Sequence, residues 1–77
     1  MEPDEIKSLL QEHFTAADIE VAVEGSHVNI IIVSDEFDGL NTLKRQQKVY
    51  AALSAQIAGG AIHAVNMKTF TSAEHQA

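Results

Sequence analysis

The stretch HVNIIIV, residues 27–33, decides the fold of this chain. It is rich in β-branched residues and almost continuously apolar toward its end, which is typical of a central strand covered more fully than its neighbours. The segment before it alternates, with Ile19, Val21 and Val23 on one face, as expected of a half-buried strand. Because residues 25–26 form only a short Gly-Ser turn, we expect the two strands to pair as an antiparallel hairpin.

Helical patterns flank this hairpin on both sides. Residues 3–14 carry apolar side chains at helical spacing, and Pro3 suits the first position of a helix. A long helix is predicted from about Leu40 to Ile57, and the glycines at residues 59–60 are expected to end it. The side chains predicted for its apolar side are Leu43, Tyr50, Leu53 and Ile57, and those predicted for its basic side are Lys44, Arg45 and Lys48.

A third strand and the start of a last helix complete the pattern. Residues 62–69 predict the strand, and residues 71–74 have the Thr-x-x-Glu form of a capping box. Phe37, within a segment of turn residues, is expected to anchor that segment to the core. A strand, helix, strand connection is normally a right-handed crossover, so the second and third strands should be parallel. The sequence therefore predicts one α+β domain over residues 1–77, an α-β-β-α-β(-α) string whose three-stranded mixed sheet has helices on one face and a binding surface on the other.

Composition and charge exclude several classes of protein. The 77 residues include 11 Asp+Glu, 5 Lys+Arg and no cysteine, for a net charge of −6. Without cysteine the chain alone cannot form a disulfide, a thiolate zinc site or a thiolate-held iron–sulfur cluster, so its four histidines are its best soft-metal ligands. The net charge has the wrong sign for tracking nucleic acid or an anionic membrane. The acidic start and short apolar runs predict a cytoplasmic protein that does not cross a membrane.

The sequence offers two groups of candidate site residues and no catalytic motif. Nucleophile-elbow, P-loop and zinc-protease patterns are missing, so we expect a protein that is not an enzyme. His27 and His63 begin the second and third strands, so they can meet at one end of a parallel pair, either as hydrogen-bonding structural residues or as metal ligands. Lys44, Arg45 and Lys48 form a local positive patch, which is either a solvated helix face or a contact for an anion, a nucleic acid or an acidic partner.

Several stretches also resemble a known family. They are Gly25-Ser26-His27, Val33 through Gly39, Lys44 through Tyr50, Ile62 through Val65 and Lys68 through Thr71. In these stretches, which run in order over nearly the whole chain, the sequence is similar to the BolA proteins, in particular the short acidic members of bacteria. The resemblance implies a fold like the class II KH domain, α-β-β-α-β with a final helix.

The resemblance also implies a partner and a cofactor. It implies a heterodimer with a monothiol glutaredoxin that shares a 2Fe-2S cluster, for which the glutaredoxin and its glutathione provide thiolates and this chain provides imidazole. The family's ligand at the start of the third strand corresponds to His63, and a second ligand, between the first two strands, corresponds to His27. No cofactor is expected on the isolated chain, and a homodimer is a further expected form.

Two other functions stay open. Relatives that regulate transcription imply a KH-like nucleic-acid-binding stress regulator that uses Lys44, Arg45 and Lys48. This chain has Gln46 and Gln47 where many members have a further His and Arg, and it lacks the Gly-x-x-Gly loop of true KH domains, both of which count against that alternative. The third option is a stress-linked interaction protein that binds no metal.

Overall fold

Three strands and four helices make up residues 2–76, which are the residues that the computed structural model describes. In chain order the elements are α1 (Pro3–His13), β1 (Asp18–Glu24), β2 (His27–Val33), a 3₁₀ turn (Asp35–Phe37), α2 (Thr42–Ala52), α3 (Ser54–Ala58), β3 (Ala64–Phe70) and α4 (Ser72–Gln76). The strands form one sheet in the order β1-β2-β3, with β1 antiparallel and β3 parallel to the central strand. The predicted α+β class and mixed sheet are confirmed, while the outermost residues of the predicted domain, 1 and 77, lie outside the described residues.

The hairpin of β1 and β2 closes through a glycine turn. Glu24 pairs with His27 across it, and Gly25 has φ +60, a left-handed conformation that glycine adopts without steric cost. In β2, Val28 and Ile32 are buried while His27 is exposed. This alternation separates a sheet face covered by helices from an open face, which carries His27 and the residues in step with it.

The core lies between the covered face and the helices. Its helix-borne part includes Ile6 and Leu10 of α1, both fully buried. Phe14, just after α1, packs against Phe37 of the 3₁₀ turn with 5.4 Å between ring centroids and a tilt of 52°. Phe37 is fully buried, as predicted from its place in the turn segment. The aromatic pair therefore ties the end of α1 to the segment that leads into α2.

The predicted long helix is interrupted in the structure, and of the four side chains predicted for its apolar side only Leu53 is buried. The Asn41 side chain accepts a hydrogen bond from the Lys44 N–H at 2.9 Å, so the helix starts at Thr42 rather than Leu40. It breaks at Leu53, whose N–H donates to the carbonyl of Tyr50, three residues back, as in a 3₁₀ turn, rather than to that of Val49, four residues back, as in an α-helix. The buried residues are Val49, Ala52 and Leu53, whereas Leu43, Tyr50 and Ile57 are exposed. The side of α2 that faces the core is therefore the side that carries Val49 and Ala52.

The third strand starts two residues later than predicted, and the last helix starts as predicted. Ile62 is buried in the core and His63 lies in a bend before the strand. At α4 the Thr71 hydroxyl accepts from the Glu74 N–H at 3.2 Å, and the Glu74 carboxylate accepts from the Thr71 N–H at 2.9 Å. The predicted capping box is thus formed in full. None of the helices in residues 2–76 combines the length and apolar character needed to cross a membrane.

Candidate functional site

His27 and His63 are neighbours along the backbone of the sheet. The parallel register pairs His27 with Ala64, and the His63 N–H donates to the carbonyl of Ser26 at 3.0 Å. Both residues therefore lie at the end of the sheet where β2 and β3 begin, and both are exposed.

The two side chains start from different surroundings at that end. His27 is on the open face, beside Glu24 and Ala64 in the register. His63 precedes β3, and its Nε2 lies over the turn that follows α3, since a Cβ built on Gly60 would be 3.9 Å from it. Gly60 has φ +80, a conformation that a side chain would strain. His63 is exposed beside this glycine turn.

The donor set at this end is too small to hold a metal centre by itself. The chain has no cysteine, and nowhere in the described part of the chain do three His, Asp or Glu side chains form a group able to hold a metal ion. A 2Fe-2S cluster takes four protein ligands, which are thiolates or, on one iron, imidazoles. Two exposed imidazoles therefore fit a cluster whose remaining ligands come from a thiolate-bearing partner.

Of the predicted basic patch, Arg45 makes extensive internal contacts. Its Nε donates to the Leu40 carbonyl at 2.9 Å and its Nη1 to the Thr69 carbonyl at 3.3 Å. Its two Nη atoms donate to the two carboxylate oxygens of Glu74 at 2.7 and 3.1 Å. The guanidinium carbon also lies 5.8 Å from the centroid of the Phe37 ring. With its side chain only 13% exposed, Arg45 serves to join α2, β3 and α4.

The Arg45–Glu74 ion pair lies where α2, β3 and α4 meet, and it shifts the pKa values of both side chains. The hydrogen bonds from Arg45, followed by the hydrogen bond from the Thr71 N–H, lower the pKa of Glu74 to about 2. The same partner raises the pKa of Arg45. Lys44 and Lys48 are exposed, and the Lys48 Nζ lies 5.7 Å from the centroid of the Phe14 ring.

The open face offers a shallow groove with a mostly apolar lining and a few polar side chains. It has a volume of about 630 Å³, and across its middle the Asn66 side-chain amide donates to the Asn29 side-chain oxygen at 3.3 Å. Glu20 and Lys68 line the same groove from the outer strands. The predicted open face is present, and its surface is uncharged at the centre with opposite charges on the two sides.

Two features of the surface were not expected from the sequence. The Arg45–Glu74 pair joins residues far apart in the chain, and the capping box fixed only the local role of Glu74. The sequence did show that Leu43, Tyr50 and Ile57 lie in one row, because a spacing of seven residues brings side chains to the same side of a helix. It did not show whether that row is buried or exposed. Val49 and Ala52, on a different side of α2, show which row packs inward.

Comparisons with known proteins give consistent results. A family model described as BolA-like protein matches residues 5–74. Acid stress protein IbaG of Escherichia coli strain K12 is 42% identical over 74 residues, which cover 96% of this chain and 88% of that protein. Among solved structures, BolA1 from Arabidopsis thaliana has a TM-score of 0.82 and 26% identity, covering 96% of this chain and 98% of that one. The BolA domain of SufE1 from Arabidopsis thaliana has a TM-score of 0.83 and 27% identity, covering 94% and 93%.

Proposed function

Because the chain belongs to the BolA-like family, we propose that it is a non-enzymatic partner of a monothiol glutaredoxin and shares a 2Fe-2S cluster with it. The observation that carries the proposal is the position of His27 and His63 at one end of the sheet, exposed and adjacent along the backbone. The glutaredoxin and its glutathione would supply the thiolates that this chain lacks.

The two histidines have different parts in the proposal. His63 is the principal ligand, because it stands outside the strand ladder beside a glycine turn that leaves room for an approaching partner. His27 is the second ligand, on the open face one strand away. When bound, the cluster would supply iron and sulfide for transfer or for sensing of iron status. The chain's own task is to present neutral imidazole nitrogens at the contact with the partner.

A spectroscopic titration tests this proposal. The protein is titrated into a cluster-loaded monothiol glutaredoxin while visible absorption and circular dichroism are recorded. Wild type should change both spectra, since replacing a thiolate by an imidazole alters the electronic surroundings of the iron. His63→Ala should abolish most of the change, His27→Ala should reduce it, and His13→Ala, which removes an exposed imidazole from the end of α1, should have no effect.

The outcomes separate the ligand assignment from the partnership. If His63→Ala gives the same spectral change as wild type, His63 is not a ligand. If wild type forms no complex, the partnership itself is wrong. A complex that forms and is insensitive to both histidine changes would instead support an interaction protein that binds no metal.

We also propose that this function serves a stress response. The support is the similarity to a relative named for acid stress. A strain that lacks this chain should grow more slowly at low pH than its parent, and wild type should restore growth while His63→Ala should not. Full restoration by His63→Ala would separate the stress role from metal binding.

A further inference from the structure

Charge is divided sharply between the two halves of the chain. Residues 39–73 contain no Asp or Glu and four of the five Lys and Arg residues, whereas residues 2–38 contain ten of the 11 carboxylates. The acidic half forms α1, β1 and β2, and the other half forms α2, α3 and β3. Since β1 and β3 are opposite edges of the sheet, with α1 packed on β1 and α2 in contact with β3, most carboxylates lie away from α2. Those that reach the junction of α2, β3 and α4 include Glu74, which is paired with Arg45, and Asp35, which accepts a hydrogen bond from the Ser72 N–H at 3.0 Å.

The helices α2 and α3 carry a row of exposed apolar side chains. Leu43 is 61% exposed, Tyr50 41% and Ile57 36%. Leu43 and Tyr50 are seven residues apart on α2, roughly 10 Å at 1.5 Å per residue, and Ile57 follows after another seven residues on α3, beyond the break at Leu53. We call these three side chains the apolar row. Gln47 and Ser54, which are exposed and uncharged, follow the row on the helix surface. Three exposed apolar side chains on one side of so small a domain indicate a contact surface.

The apolar row ends beside the proposed ligand. The Gly60 N–H donates to the Ile57 carbonyl at 3.2 Å, and the His63 Nε2 lies close to Gly60. The end of the apolar row at Ile57 is therefore the end nearer to His63 along the chain, and the rest of the row extends from there along the helices.

We infer that the apolar row is the docking surface for the thiolate-bearing protein of the proposed function, and that this partner presents an apolar patch with an acidic border. The inference rests on the proposed function. We expect the border of the partner's patch to be acidic for two reasons. Residues 39–73 contain no carboxylate that would repel it, and Lys44 and Lys48, on the flank of α2 beside the row, would attract it.

Two other occupants suit this surface less well. A second copy of the chain would bring a further net charge of −6, and repulsion between like net charges opposes a symmetric pair. A nucleic acid would need cations and stacking aromatic side chains, whereas two of the three side chains in the row are aliphatic. Both remain outcomes of the test.

Binding of monothiol glutaredoxin in its cluster-free form, measured by calorimetry on the whole chain, tests the docking surface separately from the cluster. Leu43→Gln and Tyr50→Gln should each weaken binding about tenfold, as expected for apolar residues at the centre of an interface. Ser8→Gln, at an exposed position on α1, is the matched control and should bind as wild type does. Lys44→Glu should weaken binding more at low salt than at high salt, whereas Lys7→Glu, on α1, should weaken it less.

The outcomes distinguish failure of the docking surface from failure of the proposed function. If Leu43→Gln and Tyr50→Gln bind like wild type while His63→Ala still removes the cluster signature, the docking surface is wrong and the proposed function stands. If wild type binds neither form of glutaredoxin, the proposed function and the inference fall together. Self-association of wild type that Leu43→Gln disrupts, or binding of single-stranded DNA that it weakens, would assign the row to a second copy or to nucleic acid and overturn the inference.

Discussion

Replacement of Phe37 by leucine should destabilise the core where the end of α1 packs against the segment that leads into α2. Phe37 is fully buried, and its ring centroid lies 5.4 Å from that of Phe14 in a tilted arrangement. A contact of this kind contributes about 0.5–1.5 kcal/mol beyond the area that it buries. Leucine also has three carbon atoms fewer than phenylalanine and leaves space in the core, for which we take about 1 kcal/mol because leucine is still apolar and fills part of the site.

Together these effects lower the free energy of unfolding by about 2 kcal/mol for Phe37→Leu. With a urea dependence of about 1 kcal/mol per molar for so small a domain, the midpoint of urea unfolding should fall by about 2 M. Tyr50→Leu is the matched control, because the same kind of change at a side chain that is 41% exposed should stay within about 0.5 kcal/mol. Equal midpoints for the two variants would refute the claim that the Phe14–Phe37 pair ties α1 to the turn before α2.

Three further predictions concern the junctions and the ligand. The pKa of Glu74 is lowered from 4.5 to about 2 in the folded state. The stability contributed by the ionised Glu74 is therefore present above about pH 4.5 and is lost as the pH falls toward 2. Across this range, the melting temperature of Glu74→Gln should depend less on pH than that of wild type. Gly60→Ala places a side chain at φ +80 and should lower the free energy of unfolding by about 1–2 kcal/mol in urea titrations, whereas an unchanged midpoint would contradict the strain argument. Free imidazole added to His63→Ala and loaded glutaredoxin should restore part of the spectral change, because it can take the ligand position that the variant leaves open, and no restoration would count against imidazole ligation.

Local patterns were sufficient for most of the fold. The alternation in β1, the β-branched run of β2 and the capping box at Thr71 each depend on residues within a few positions of one another, and each appears in the structure where the sequence predicted it. The break at Leu53 could not be predicted in this way, since no proline or glycine is near it. Leu53 itself is fully buried in the core, so the break lies where the chain is held by tertiary packing.

For the site, the sequence placed His27 and His63 at the starts of two strands, and the parallel register then made their backbones neighbours. The glycines at residues 59–60 end α3 as predicted, whereas the position of the His63 Nε2 beside Gly60 is seen only in the structure. Likewise, Lys44, Arg45 and Lys48 formed one basic patch in the sequence, and only the folded chain brought Glu74 to Arg45.

By itself, then, the sequence determined the order and type of the elements, the sign of the net charge and the absence of thiolates, because these properties are local or additive. The tertiary structure alone decided which side of α2 is buried, which cation is neutralised and that the apolar row ends beside His63. Those outcomes depend on contacts between residues distant in sequence, such as Arg45 with Glu74 and His63 with Ser26, and such contacts exist only once the sheet has formed.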